Sequence, residues 1–531
     1  MKKRKRIYLY LLTFLITFPL IVICRFSPAF SFENERPKYT LNGYLRTWIS
    51  LNLDDPPEVS GGRYDISMLR GSLLLDFELW LENVMFKAIS RFDGEIRTRY
   101  LKRLEDSIEE RNDFFSSVLG KKIQGPGNDI MRQYNKCDLR EAYIELPFGN
   151  SLKFRLGKQQ VAWGQPGLFR ALDMIHGYDY RWRAFLEIEK EEVRKPLIMA
   201  NTMIQVNQLS GMLQILFRPG WDKNYAIGDR YSVEGGRWEA QPSRGMDYLS
   251  LLKYDYNHPD GDVNDSTYGI RWTGRLNSLD YSFAYLKTYN DKFIINSAFN
   301  SYRKMPNGLL GDFVHPEIDL IGMTLNKYFQ IIDSVLDVEL VYTFDKPFNY
   351  GSNFTPNLPI PGGSIMLNLP GFEGIIKKKV ITATLRLNKN LKTSELLGTS
   401  GPSYFSLQIY DNWIQNFSRS DDIIHTATWG ARMHEHSVML GAVLLLKFMN
   451  KSVNPMLIGC FDATYGGGCL IPSVDFVIGD NWRVKIEADL FFANGEKRVT
   501  NTIQQDIETH VSFFGYFANN SQLMLRLTRQ F

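Results

Sequence analysis

Alternation with period two runs through this chain and constrains it more than any other feature. Leu69, Gly71, Leu73, Leu75, Phe77 and Leu79 alternate with Arg70, Ser72, Leu74, Asp76, Glu78 and Trp80. Leu336, Val338, Leu340, Tyr342 and Phe344 alternate with Asp337, Glu339, Val341 and Thr343. Ile381, Ala383, Leu385 and Leu387 alternate with Thr382, Thr384, Arg386 and Asn388. Trp482, Val484, Ile486, Ala488 and Leu490 alternate with Arg483, Lys485, Glu487 and Asp489. An extended chain sends successive side chains to opposite faces, so each segment has one apolar and one polar face. A soluble sandwich would show the same alternation. Two features favour a barrel that crosses a membrane. The apolar faces run roughly 9–13 residues, the length of a tilted transmembrane strand. Aromatics also stand at strand ends (Trp48, Trp80, Tyr281, Tyr289, Trp413 and Trp482), where girdles form at the lipid–water boundary.

Eighteen such segments are readable, at 39–52, 64–79, 81–93, 138–148, 151–159, 199–206, 210–218, 265–276, 278–290, 316–329, 334–346, 376–389, 403–414, 437–449, 454–464, 471–479, 481–493 and 521–531. Connections after even-numbered segments are mostly tight, as at Asn277-Ser278 and Gly479-Asp480-Asn481, and those after odd-numbered ones mostly long. An even count with short turns at one end and long loops at the other is the pattern of bacterial outer-membrane barrels. The expected fold is therefore an all-β, antiparallel up-and-down transmembrane barrel of about eighteen strands, with sixteen as the neighbouring even count. This parity requires the strand-like stretch from Tyr248 to Tyr256 to lie in a loop.

The first residues support export. MKKRKR is followed by an apolar run from Ile7 to Cys24 and by Ala29-Phe30-Ser31. This is the basic, apolar and small-residue order of a cleaved secretory signal. An uncleaved anchor is the competing reading, since the run is just long enough to span. Ile23 before Cys24 disfavours a lipoprotein. Cleavage after Ser31 divides the chain into a signal, 1–31, and a single barrel, 32–531. It removes six of the 62 basic residues and no acidic ones, leaving 56 against 58 and a net charge of −2. The basic balance belongs to the signal and gives no reason to expect nucleic acid as a partner. The expected setting is the outer membrane of a Gram-negative cell, with the bilayer, the barrel-assembly machinery and a small solute as partners. The oligomeric state stays open.

Of the cysteines left after cleavage, Cys460 and Cys469 flank Gly466-Gly467-Gly468 and are placed to pair across that turn as a disulfide or to stay as two thiols. Cys137 would remain single. The last residues alternate Leu523, Leu525 and Leu527 against Gln522, Arg526 and Thr528, and end in Phe531. A terminal aromatic on an amphipathic last strand is the form of a barrel-assembly signal.

Two stretches carry a family resemblance: Asp138-Leu139-Arg140-Glu141-Ala142-Tyr143, and Arg155-Leu156-Gly157-Lys158-Gln159-Gln160-Val161-Ala162-Trp163-Gly164. They resemble the outer-membrane family named domain of unknown function 1302, which shows a segment of the form "lRlGrqvvnWGes" after such a strand. Gln165-Pro166 stands here where the family has an acidic and a small residue. The resemblance implies an outer-membrane barrel and no particular substrate.

The segment 160–198 follows the fifth strand and is by parity the third long loop. It holds Trp163, Arg170, Asp173, His176, Asp179, Arg181, Arg183, Glu187 and Glu189. Folded into the lumen, it would form a constriction in which arginines face carboxylates, or a plug whose ion pairs hold it in place. The expected pore wall is Arg70, Asp76, Glu78, Lys153, Arg155, Asp337, Glu339, Arg386, Arg483, Lys485, Glu487, Asp489 and Arg526, of mixed sign. Residues 100–119 read as a short helix capping the mouth, with Leu101, Leu104, Ile108, Phe115 and Val118 on one side.

Other motifs are weaker. His434-Glu435-His436 lacks the three or four ligands a metal site needs. Asp260 to Asp265 is acidic but lacks the downstream Glu of a calcium loop. No Gly-x-Ser-x-Gly, P-loop, zinc-protease or haem-attachment motif is present, so no cofactor or catalytic residue is expected. The leading function is a channel for small solutes. A barrel sheathing a partner such as a cytochrome, and a hydrolase with a Ser–His or Asp–His pair at the rim, are the alternatives.

Overall fold

The computed structural model describes residues 38–55, 61–165, 167–222, 227–241, 243–254, 266–302, 305–425, 431–493 and 513–531. The expected signal segment, 1–31, and the acidic turn from Asp260 to Asp265 lie outside them. Eighteen strands form one sheet that closes on itself. They are labelled here in chain order: β1 (Lys38–Asn52), β2 (Ile66–Leu81), β3 (Val84–Glu95), β4 (Lys136–Phe148), β5 (Leu152–Gln159), β6 (Leu197–Val206), β7 (Gly211–Arg218), β8 (Thr267–Leu276), β9 (Leu279–Tyr289), β10 (Glu317–Phe329), β11 (Ser334–Tyr350), β12 (Gly374–Leu391), β13 (Ser403–Ile414), β14 (His436–Leu445), β15 (Val453–Asp462), β16 (Gly468–Ile478), β17 (Trp482–Phe492) and β18 (Gln522–Gln530). Each pairs antiparallel with the next. The seam closes where β1 pairs with β18, Tyr44 opposite Gln530 through Asn52 opposite Gln522. Closure leaves no unpaired edge, the condition a sheet must meet in hydrocarbon.

The turns follow the sequence. Asn277 occupies the left-handed region, φ 55°, in the two-residue turn between β8 and β9. Asn and Gly tolerate that region where β-branched residues do not, and two-residue hairpins require it. The stretch near Tyr248 forms a small loop-borne sheet: Leu252–Tyr254 runs parallel to Gly311–Val314, which pairs with Ile294–Ser297. It is separate from the barrel sheet, so the count of eighteen holds.

The apolar faces point outward. Leu340, Leu385 and Ile486 are each more than 40% exposed, while Asp337, Glu339, Arg386, Glu487 and Asp489 are under 10%. A barrel therefore inverts the usual order, with its exposed apolar side turned to lipid and its buried polar side turned inward. Trp48 departs from the girdle expectation. It is 1% exposed, points into the lumen and meets Trp182 edge-on at 5.4 Å. The reason is parity: Trp48 shares the inward face of β1 with Tyr44, Arg46 and Ser50, and Leu45 and Ile49 take the outward one. Tyr289 is likewise buried at its strand end. Trp80 and Trp482 are 40% and 42% exposed, as strand-end aromatics should be. Phe531 closes the seam: it exchanges backbone hydrogen bonds with Gly43 at 3.0 and 3.1 Å, and its ring lies against that glycine.

Helix α1, Arg99–Leu119, starts at Thr98, whose side chain accepts from the Leu101 N–H at 3.2 Å. That bond satisfies one of the free donors of the first turn. Tyr100, Leu101, Leu104 and Ile108 pack with Ile130, Met131, Tyr134, Trp48 and Met68. The helix thus caps the long-loop end, as its sequence stripe predicts. Among the described residues no helix is long and apolar enough to cross a membrane.

Candidate functional site

The third long loop turns into the barrel because the wall offers it both sockets and footholds. Three wall strands carry an inward-facing glycine, and each receives a loop side chain: Trp163 rests on Gly269 of β8, Leu172 on Gly322 of β10 and Leu168 on Gly441 of β14. A glycine in a strand lets another group approach its backbone closely, and any side chain there would collide with the loop.

Polar sockets fix the loop between these footholds. The Glu339 carboxylate of β11 accepts three loop N–H groups, from Gln165, from Ala171 at 3.3 Å and from Leu172 at 3.1 Å. Gln408 of β13 accepts from Leu168 and Phe169 at 2.9 and 3.3 Å and donates to the Phe169 carbonyl at 3.1 Å. The Trp163 indole donates to Gln214 of β7 at 2.9 Å. These contacts give buried backbone and indole donors the partners they need away from water.

The far part of the loop is held by charge. Arg183 lies between Glu487 and Asp489 of β17 and Glu187 of its own loop, 3.2 Å from Asp489 and 3.7 Å from Glu187. Glu189 reaches Arg526 at 3.1 Å and Arg46 at 3.2 Å. Glu192 accepts from Tyr44 at 2.7 Å and pairs with Arg46 and Arg91 at 3.2 Å. The loop therefore touches β1, β3, β7, β8, β10, β11, β13, β14, β17 and β18, crossing the lumen from side to side.

The expected constriction residues all lie in this belt, but their charges are spent locally. Arg170 pairs with Asp229 at 2.8 Å and Asp291 at 3.5 Å and lies over the Tyr178 ring at 3.8 Å. Asp173 accepts from Tyr178 and Arg194, both at 2.7 Å. Arg181 pairs with Asp179 at 2.6 Å, and Lys136 joins the same carboxylate. Arg170, Asp173, Asp179, Arg181 and Arg183 each sit beside an opposite charge, so among the described residues they form no arc of free arginine facing an arc of free carboxylate. Burial drives the Asp173 pKa up, but Arg194 and Arg170 outweigh it and hold the group below the usual carboxylate range. Burial pushes Asp229 up to about 6 despite Arg170. Burial also pushes His176 down to about 4. Its ring accepts from the Val161 N–H at 2.9 Å, with Lys195 O 2.9 Å from the other nitrogen.

Two further segments enter the lumen without a sequence signal that singled them out. Trp238 donates to the Trp182 carbonyl at 3.0 Å, and Arg237 pairs with Glu95. Phe185 of the third loop packs against Phe491, Phe513, Phe514 and Phe517. The aromatic run Phe513-Phe514-Gly515-Tyr516-Phe517 was open to notice as an unusual loop sequence.

The half of the barrel nearer the short turns has a different wall. Lys87 bridges Asp76 at 3.1 Å and Glu78 at 2.7 Å. Glu145 pairs with Lys153 at 2.8 Å and Arg155 at 2.7 Å. Arg386 pairs with Asp337 at 2.7 Å, and Lys485 with Glu487. Arg70 pairs with Asp93 at 2.8 Å nearer the long-loop end, beside Trp182. Arg483 shares their inward parity and is exposed at the short-turn mouth. All the expected wall charges therefore face the lumen, with both signs interleaved.

Cys460 and Cys469 are free thiols, directly opposite one another on β15 and β16. His434 packs on Tyr465 and His436 on Trp413. Those two histidines diverge, and no group of potential metal ligands occurs among the described residues. His436 also pairs with Asp411 at 2.8 Å at the long-loop rim.

No curated protein matches the chain in sequence. Among solved structures, OccAB1 of Acinetobacter baumannii is similar with a TM-score of 0.44 and 9% identity, over 93% of this chain and 96% of that one. The outer membrane protein OpdK of Pseudomonas aeruginosa is similar with a TM-score of 0.43 and 8% identity, over 93% and 99%. The anion-selective porin of Comamonas acidovorans scores 0.35 with 9% identity, over 93% and 99%. Nothing of those proteins' residues or solutes carries across at such values. The sequence itself matches the family described as "Protein of unknown function (DUF1302)" over residues 93–531, and the chain belongs to that family.

Proposed function

We propose that this protein is an outer-membrane channel for small solutes, in which the third long loop and not the barrel wall sets what passes. The observation that carries this reading is the seating of loop 160–198 across the lumen on Glu339, Gln408 and the three wall glycines. Below it lies a wall of paired charges of both signs, which suits hydrated solutes without a strong preference for one sign. The loop's Arg170, Asp173, Asp179, Arg181 and Arg183 are each paired in place, so its effect is to obstruct the lumen. The test is single-channel conductance of the purified protein before and after deletion of Gln165–Lys190. Conductance should rise in a deletion variant that still assembles, and an unchanged value would refute the reading.

The sheath reading requires a lumen free for a second protein, and the inward segments occupy that space. A rim hydrolase is the second reading, supported by the Asp411–His436 pair. Its test is ester and peptide hydrolysis by the purified barrel, with His436→Ala as the variant that should abolish it.

A further inference from the structure

Cys460 and Cys469 stand directly opposite in the antiparallel ladder between β15 and β16. Their side chains share the inward face with Ile458 and Ile471, while Leu457, Phe461 and Leu470 take the outward one. Directly opposed residues of an antiparallel pair have Cα atoms about 4.5–5.5 Å apart, and disulfides span about 4.4–6.8 Å. The register therefore places the two Cα atoms at a separation that a disulfide spans without movement of the backbone. That register is well fixed. Gly466 and Gly467 both take positive φ, 73° and 113°, and Asp462 N–H donates to the Gly467 carbonyl at 2.9 Å. Cys137 is exposed and far along the chain, so the pair has no competing partner within the barrel wall.

We propose that Cys460 and Cys469 are a disulfide site in the mature protein, a covalent clip across the β15–β16 ladder on its lumen side. The inference rests on an envelope location, because such bonds persist only in oxidising compartments. The chemistry is thiol–disulfide exchange with a disulfide-bearing oxidant of the envelope. One thiolate attacks the oxidant's disulfide, the second displaces the oxidant's thiol from the mixed disulfide, and the oxidant leaves with two electrons and two protons. Cys469 is buried in the cluster of Trp238, Phe491, Phe514 and Phe517, against which Phe185 packs. The clip would therefore brace the patch of wall on which the aromatic foot of the third loop rests. It would form before that foot settles, while the thiols are open to the oxidant.

Full-length protein from outer membranes, trapped in acid, denatured and treated with N-ethylmaleimide, gives the test. Trypsin should release the peptide 452–483, which contains both cysteines and no others. The expected result is a peptide lighter by two hydrogen atoms that carries no maleimide, and that takes two maleimides after reduction. Cys460→Ser should yield one maleimide on this peptide without reduction. A wild-type peptide that carries two maleimides without reduction, or two small-thiol adducts, overturns the proposal. Recovery of the protein in the cytoplasmic fraction would instead overturn the envelope location on which it rests.

Discussion

Replacing Glu339 tests the seating of the loop most directly. This carboxylate accepts N–H groups from Gln165, Ala171 and Leu172 and is 2% exposed. Glu339→Ala leaves three loop donors without an acceptor. Each buried, unpaired donor costs about 1–3 kcal/mol, so the seated loop loses roughly 3 kcal/mol at the low end. Each 1.4 kcal/mol is about tenfold in population, so release of the loop should become about a hundredfold more frequent. Glu339→Gln keeps one acceptor oxygen and loses the charge, and about tenfold is expected on the same scale. The barrel itself should not weaken, because its ladders run through backbone groups. Trypsin provides the assay. Arg181 and Arg183 are under 10% exposed in the seated loop, and cleavage at such sites follows the population of the released state when closing is fast. Cleavage within 165–190 should accelerate in the order wild type, Glu339→Gln, Glu339→Ala, while heat-modifiable migration on gels is retained. Equal rates in all three folded proteins would show that Glu339 does not hold the loop.

Gly269→Ala should push Trp163 off its foothold at a cost of about 1–3 kcal/mol, seen as a red shift of tryptophan emission with the barrel intact. Leu340→Arg, facing lipid, should destabilise the protein in vesicles by roughly 2–4 kcal/mol, whereas Asn326→Arg, facing the lumen beside Asp337, should cost under about 1 kcal/mol; equal losses would invert the assigned faces. His176 gives a pH dependence. A released loop takes up a proton at this ring below about 6.5, and the seated loop only below about 4. Its seating contribution is therefore full above that range and is lost as pH falls through it, by up to about 3 kcal/mol. Asp229, raised to about 6, works in the opposite sense, so the reading is the difference between wild type and His176→Gln: channel openings should grow in wild type relative to the variant from pH 6.5 to 4, and parallel curves would refute it.

The strands and their faces were legible because alternation is a local property: each of the eighteen segments states its own inward and outward set. The inward loop was legible from its charge density and position. Its fastening was not. Glu339 reads in sequence as a pore-lining charge like Asp337, and only the fold shows that it holds the backbone of a segment far upstream while Asp337 binds Arg386. Gly269, Gly322 and Gly441 read as ordinary strand glycines until the side chains resting on them are seen. Trp48 was misread because its distance from the strand end suggested a girdle, whereas its parity sends it inward. Arg170, Arg181 and Arg183 were found as a group, and Arg181 pairs within it with Asp179, but Asp229 and Asp291 beside Arg170 lie on other loops, and Glu487 and Asp489 beside Arg183 lie on a strand about three hundred residues on. Pattern along a chain marks which way a side chain points and says nothing about what meets it there.

The sockets of the third loop also impose an order of events during biogenesis. Its partners are Arg46 on the first strand, Glu339 and Gln408 in the middle of the chain, and Glu487, Asp489 and Arg526 on the last two strands. These stand around one cavity only after β1 has met β18. A chain still being threaded into the membrane has therefore nowhere to place this segment, and the obstruction of the lumen arises as a by-product of completing the cylinder. Any truncation that removes the final strands should therefore leave the third loop without its last sockets and the lumen unobstructed.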